Sequence, residues 1–345
     1  MTDMPARRPK IVDVARAAGV SPTTVSHALN GRGQVDPRTR QRVVDAAHAL
    51  GYRPHLGAQR LRTGASRQIA LVSSMPFSIA GGPSHLGFFM EVASSAAEFA
   101  LTRGYALVLV PPLEALPSLD GIDMGGAVVV EPARDDKVIE QLRERNVPVV
   151  SIGAQPGAED DVPYVDMHGR DSCRLILEHL HDTGARRIAL VTGAQERDSY
   201  LAARQEYRAF ARRHHMPQRQ VLVDESAGEE GARHKVTELL RRSPEVDAIC
   251  ALVDTFASGA VAAARELGLS VPGDLRLATR YDGLRARTSN PPLTAVNLHL
   301  EDVAAKAVEL LLQAMTGQDV PASSASEVPT LVPRASSASV TAPAP

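Results

Sequence analysis

The chain has 345 residues, 44% of them hydrophobic, with no Trp, 3% aromatics and a formal net charge of -2. That length allows two or three compact units, whose cores must be built mainly from Val, Leu, Ile and Ala. The near-neutral total hides an asymmetry: residues 1–68 hold 12 Lys+Arg against 4 Asp+Glu, a balance of +8, and the remainder holds 26 against 36, a balance of -10. A basic head on an acidic body suits a polyanionic partner for the head alone. No apolar run reaches membrane-spanning length. The first ten residues carry no apolar segment after their charges and do not read as a secretory signal. Cys173 and Cys250 lie far apart inside apolar runs and read as reduced core residues, not a disulfide framework. The expectation is a soluble, cytoplasmic protein without a membrane partner.

In chain order, Ile11, Val14, Ala15 and Ala18 follow helical spacing on one face. Gly19 ends that helix, because glycine accepts the positive φ of the position after a helix. Ser21-Pro22 then starts a second one, with a hydroxyl cap followed by a ring that pre-sets φ. Val25 and Leu29 form its apolar face. Two short helices joined by so tight a turn have the layout of a helix-turn-helix, whose second helix lies in the DNA major groove. Residues 31–35 read as a loop. Asp36-Pro37 repeats the cap-and-proline signal for a third helix with Val43, Ala47 and Leu50 inside and Gly51 as its stop. A short helix is expected over 55–62, followed by a linker. With Gly57 in it, that segment is too weak to fold alone and should form only against a partner.

From Ile69 the pattern changes. Apolar runs at 69–72, 105–110, 127–130 and 147–152 alternate with helical stretches around 88–102 and 135–145. The alternation resumes with helices around 169–183, 200–214 and 229–242, and apolar runs at 188–191, 221–223 and 248–252. Short continuous apolar runs between helices predict parallel sheets covered on both faces, here in two doubly wound lobes. Such lobes bind ligands at the carboxyl ends of their strands. Residues 78–85 read as a long loop over the mouth of the cleft, and 337–345 as a disordered Ala/Ser/Pro-rich tail.

The segments Asp13–Ser21, Thr24-Val25-Ser26, Leu29-Asn30-Gly31, Leu50–Pro54 and Leu61–Gly64 resemble the lactose/galactose-repressor family of bacterial transcription regulators. Weaker landmarks continue through the body, including Val147–Val150, Gly184–Ala189, Leu269–Asp274 and Pro291–Val296. The resemblance implies an all-α helix-turn-helix head over residues 8–53 and a hinge over 54–68. It implies an α/β two-lobed, periplasmic-binding-protein-like body over 69–336. The first lobe would take 69–164 and 297–322, the second 165–296 and 324–336. It also implies a homodimer on a near-palindromic double-stranded DNA operator, most often as a repressor, with a small-molecule effector, a sugar or related metabolite, in the cleft.

By the same resemblance, the second helix presents Pro22, Thr23 and His27 to base edges. Pro22 offers only apolar contact, Thr23 a hydroxyl and a methyl. His27 stands where relatives most often carry Arg and reaches a single acceptor, although a solvent-facing role is the plain alternative. Ser21, Thr24, Ser26 and Asn30 suit phosphates or caps, and Arg32 and Arg53 suit phosphates. Leu61, with small Ala58 beside it, matches the leucine that wedges into the minor groove at the operator centre. His55 and Gly57 replace residues that favour the hinge helix. For the effector, the matching position points to Asp254, which could also cap a helix. Arg204 stands one residue after Ala203, where the family's effector arginine falls, and Arg280 or Asp282 for polar contact and Phe88 for stacking complete the candidates. Here Thr279-Arg280-Tyr281-Asp282 replaces the family's Gly-Phe-Asp-Asp.

No phosphate loop, dinucleotide glycine fingerprint, zinc-protease motif or nucleophile elbow occurs, which weighs against an enzyme and against a cofactor. The histidines at 179, 181, 214 and 215 sit at predicted helix ends, where they complement the dipole, and are not read as metal ligands. A transported-sugar binding protein of the same two-lobed shape would lack the basic head.

Overall fold

The computed structural model describes residues 9–29, 34–52, 66–80, 87–110, 112 and 118–338. The chain divides into a unit over residues 1–65 and a second over 66–345.

In the first unit, α1 (Ile11–Ala18), α2 (Pro22–Leu29) and α3 (Pro37–Ala49) close on a core of Val14, Ala15, Ala18, Val25, Ala28, Val43 and Ala47. The starts and stops follow from local chemistry. Gly19 takes φ 65° after α1. The Ser21 hydroxyl accepts the Thr24 amide at 3.1 Å, and the Asp36 carboxylate accepts that of Thr39 at 3.0 Å. Leu50, expected inside, is 40% exposed. It caps α3 instead of continuing it, and Tyr52 packs against the core beyond it.

The second unit holds two six-stranded sheets. Its elements run β1 (Gln68–Ser73), α4 (Phe77–Ala80), α5 (Phe88–Thr102), β2 (Ala106–Val110), β3 (Gly126–Val130), α6 (Lys137–Glu144), β4 (Val149–Ile152) and β5 (Tyr164–Asp166). They continue with α7 (Gly169–Asp182), β6 (Ile188–Gly193), α8 (Asp198–Arg213), β7 (Gln220–Val223), α9 (Gly228–Arg242), β8 (Ala248–Ala251), α10 (Asp254–Glu266) and β9 (Arg276–Thr279). Last come α11 (Leu284–Thr288), β10 (Thr294–Asn297), α12 (Leu300–Met315), β11 (Ser323–Ala325) and β12 (Thr330–Val332). Part of the stretch expected to be loop is α4, which buries Ile79. Residues 81–85 of it lie outside the described residues.

The first sheet has the order β11-β5-β4-β3-β1-β2 and the second β12-β10-β9-β8-β6-β7. Among the described strands every pairing is parallel except β10 with β12. Alternate side chains of the first sheet enter different cores. Ala70, Val72, Ala127 and Val129 face α6, while Ile69, Leu71, Val128 and Val130 join the large cluster that continues into the second sheet. That two-sided burial is why these strands are apolar throughout. The chain passes between sheets three times: from β5 to α7, from β10 to α12, and from β11 to β12. The last passage comes slightly later than residue 324, because Ser323–Ala325 still pairs with β5. Both sheets reverse their strand order at matching places, β1/β3 and β6/β8, and ligand crevices form at such switch points. Cys173 and Cys250 are buried and free.

Candidate functional site

On α2 the burial pattern divides the helix cleanly. Val25 and Ala28 are buried, Ser21, Pro22 and Thr23 are exposed, and Thr24, Ser26 and His27 are half-buried. The Ser21 and Thr24 hydroxyls lie 2.9 Å apart, so both are tied to the helix start. The exposed N-terminal end of α2 is thus anchored from below by the three-helix core, which suits a surface that must present side chains to a rigid partner. Asn30, Arg32, Arg53, His55, Ala58 and Leu61 lie outside the described residues.

In the body, a partly open cavity lies where the two sheets' strand ends meet. Ser73 follows from β1, Val130 and Glu131 from β3, Leu252 to Asp254 from β8, and Arg280 and Tyr281 from β9. Its wall is largely apolar, with Phe88 and Phe89 from α5 and Ile79 from α4. Phe88 meets Tyr281 edge-to-face, ring centroids 5.6 Å apart. Asp254, at the start of α10, is 5% exposed. One of its oxygens accepts the Thr255 amide at 2.8 Å. The other, Oδ2, has no hydrogen bond and only the Arg285 Nε at 3.6 Å. Burial pushes this carboxyl above its ordinary range, with Arg285 pulling back. Burial is also the main cause that raises Asp198, to about 6, followed by the charge of Glu131.

Phe88, Asp254 and Arg280 therefore come together, whereas Arg204 and Asp282 do not line the cavity. Arg204 turns back onto the end of β6, donating to the Thr192 hydroxyl at 3.2 Å and to the Gly193 carbonyl. The same helix sends Tyr200 to the cavity instead. Asp282 holds Arg334 at 2.6 Å and Arg287 at 3.4 Å. Burial works to raise its carboxyl, but these arginines hold it below the usual range.

The polar groups that sequence reasoning missed, Glu131, Arg197, Glu225 and Glu91, take part in bonds that link the lobes directly or brace those that do. Glu131 accepts both terminal nitrogens of Arg280 at 3.1 Å and the Ser199 hydroxyl at 2.7 Å. Arg197 grips Glu225 with two contacts of 2.8 and 2.7 Å and reaches across to Ser74 and to the Glu131 carbonyl. The Tyr281 hydroxyl donates to Glu91 at 2.5 Å. One signal was available: Glu131 ends the apolar run Val128-Val129-Val130, where a ligand crevice is expected. Among the described residues no group of three His, Cys, Asp or Glu could hold a metal ion, and no helix is long and apolar enough to cross a membrane.

The family model "Bacterial regulatory proteins, lacI family" matches residues 10–55, and "Periplasmic binding protein-like domain" matches 177–337. The HTH-type transcriptional regulator CelR of Thermobifida fusca is 32% identical over 323 residues, 90% of this chain and 93% of that protein. The HTH-type transcriptional repressor PurR of Actinobacillus pleuropneumoniae is 29% identical, over 88% of this chain and 90% of its own length. Among solved structures, a CelR–cellobiose complex superposes with a TM-score of 0.70 at 29% identity, over 95% of this chain and all of that one. A lac repressor dimer on its operator gives a TM-score of 0.77 at 24% identity over 96% of this chain and all of that one, and so speaks for the fold. The capped helix-turn-helix, the paired parallel sheets and the near-complete overlap with CelR agree: the chain belongs to the lacI family of bacterial regulatory proteins and is a helix-turn-helix transcriptional regulator.

Proposed function

We propose that this regulator represses transcription as a cytoplasmic homodimer on a near-palindromic operator, with no catalysis of its own. A sugar or related metabolite held between its lobes sets operator affinity. The observation that carries the DNA half is the exposed start of α2, with Pro22, Thr23 and His27 above a buried Val25/Ala28 face. Thr23 and His27 read base edges, Pro22 touches a thymine methyl, and Ser21, Thr24, Ser26 and Asn30 meet phosphates along with Arg32 and Arg53. Leu61, beside Ala58, wedges the central base step, and His55 belongs to the same hinge. The +8 balance of residues 1–68 supports a salt-sensitive grip on the phosphate backbone.

The effector half rests on the cavity at the strand ends, with a buried aspartate oxygen lacking a hydrogen bond and an aromatic wall. Asp254 accepts from ligand hydroxyls, Phe88 stacks on a sugar's C–H face, and Arg280 lies on the cleft floor. Arg204 and Asp282 act behind the cavity, supporting its rim. A relative solved with cellobiose supports the sugar class. Ligand acts by binding one lobe arrangement better than the other.

The test is selection of bound duplexes from a random pool by the full chain, followed by binding titrations with and without cellobiose and other sugars. Enrichment of a palindromic site whose affinity changes with one sugar is expected. A pool without an enriched sequence at moderate salt would overturn the DNA reading. An enriched site indifferent to every sugar would overturn the sugar class alone.

A further inference from the structure

Two charged side chains that face the cleft from opposite lobes, Glu131 and Arg280, bond to each other. Glu131 leaves the end of β3 in the first sheet, and Arg280 leaves the end of β9 in the second. Their side chains are 3% and 6% exposed. Both terminal nitrogens of Arg280 fall on one Glu131 oxygen, at 3.1 Å each, and the other oxygen takes Ser199 from the second lobe at 2.7 Å. Glu131 adopts φ 51°, a left-handed backbone unusual for a non-glycine residue. Such a conformation persists where its surroundings over-determine it. Here the Glu131 amide bonds Ile152 at 2.9 Å while its carbonyl receives Arg197 from the second lobe.

We propose that Glu131 and Arg280 are the positioning pair of the cleft. Their bond holds the second lobe against the first at the separation that brings Phe88 onto Tyr281 and turns Asp254 into the cavity. Removing either charge strands the other in a buried site, which is strongly unfavourable, whereas removing both leaves a neutral pair. The lobes therefore part when one partner is lost and close again when both are. Only the consequence for an effector rests on the reading of the cleft given above; the lobe separation does not.

The structure supplies a reporter. The Arg134 amide, in the first lobe, bonds the Glu196 carbonyl of the second at 2.9 Å. Its exchange with deuterium follows lobe opening, while amides of β6, such as Val191, follow unfolding of the second sheet. Hydrogen exchange of the full chain is compared among wild type, Glu131→Gln, Arg280→Gln and the double variant. We expect each single change to speed exchange of a 132–136 peptide at least tenfold with the β6 peptide unchanged. The double variant should return to within about threefold of wild type. Unchanged interlobe exchange in both single variants overturns the proposal. So does a rise matched in β6, which marks general destabilisation, or a double variant in which the two effects add.

Discussion

Arg197 is the residue whose loss the second unit should tolerate least. Its side chain is 2% exposed and faces Glu225, 3% exposed, through two contacts of 2.8 and 2.7 Å. Its remaining donors serve Ser74 Oγ at 3.1 Å, the Ser74 carbonyl at 3.1 Å and the Glu131 carbonyl. An Arg197→Met variant keeps much of the volume but leaves the Glu225 carboxyl buried without its partner. Breaking such a pair from one side costs about 3–5 kcal/mol. The three first-lobe acceptors also lose their partner, so the upper end of that range applies. Set against a total stability of about 5–15 kcal/mol, the loss is large. Replacing both residues, as Arg197→Met with Glu225→Leu, removes the stranded charge and should cost markedly less than the two single changes together. With no Trp in the chain, urea unfolding followed by far-UV circular dichroism is the suitable assay. Single variants that lose under about 1 kcal/mol, or a double variant equal to the sum, would refute the argument that this pair is energetically coupled.

Asp198, raised to about 6, carries its penalty as the charged form. Its stabilising contribution is present below the ordinary value near 3.8 and is lost as pH rises through 6. Asp198→Asn should therefore be more stable than wild type at pH 7–8, by about 1–2 kcal/mol after allowing for partial exposure, and the gap should close below pH 4; urea midpoints across pH measure it. Ser21→Ala removes the cap on α2 and should lower the stability of the head by about 1 kcal/mol in thermal melts of a head fragment or by local hydrogen exchange. Gly259→Ala should destabilise by about 1–3 kcal/mol although alanine is the better helix former. A Cβ there would stand 2.6 Å from the Glu229 carbonyl and 2.7 Å from Ala232 Cβ, forcing α9 and α10 apart. Unchanged urea midpoints for that variant would show that the helices can give way.

What the sequence made legible was mostly local. Gly19, Ser21 and Asp36 act within four residues of themselves, so they announce the helix ends directly. The central strands β1, β3, β4, β6 and β8 are legible because burial on two faces makes them continuous apolar runs, whereas β5 and β9 to β12, at three or four residues each, are too short to announce themselves. Arg204 shows how sensitive a helical position is. It stands one residue after Ala203, where the family frame puts an effector arginine. Each residue turns the face by about 100°, so a step of one residue carries a side chain off the face that meets the cavity. Tyr200 takes the inward place and Arg204 binds the end of β6. Leu50 failed similarly, one residue beyond where α3 ends.

The pairings across the cleft were out of reach for a different reason. Glu131 and Arg280 are 149 residues apart, and Arg197 and Ser74 are 123 apart. No periodicity relates such positions; only the shared strand order of the two sheets brings them to one crevice. Yet the physics that hides these pairs also explains why they matter. Buried ion pairs add little net stability over apolar replacements, because desolvation offsets their attraction. They do penalise every arrangement in which a partner is missing. Between two lobes that share a continuous apolar cluster, the cluster supplies adhesion but tolerates sliding, whereas Arg197 and Glu131 accept one relative placement. A regulator that must pass a ligand's presence to its DNA-binding head needs discrete arrangements, not a continuum. Directional buried pairs at the strand ends supply that discreteness.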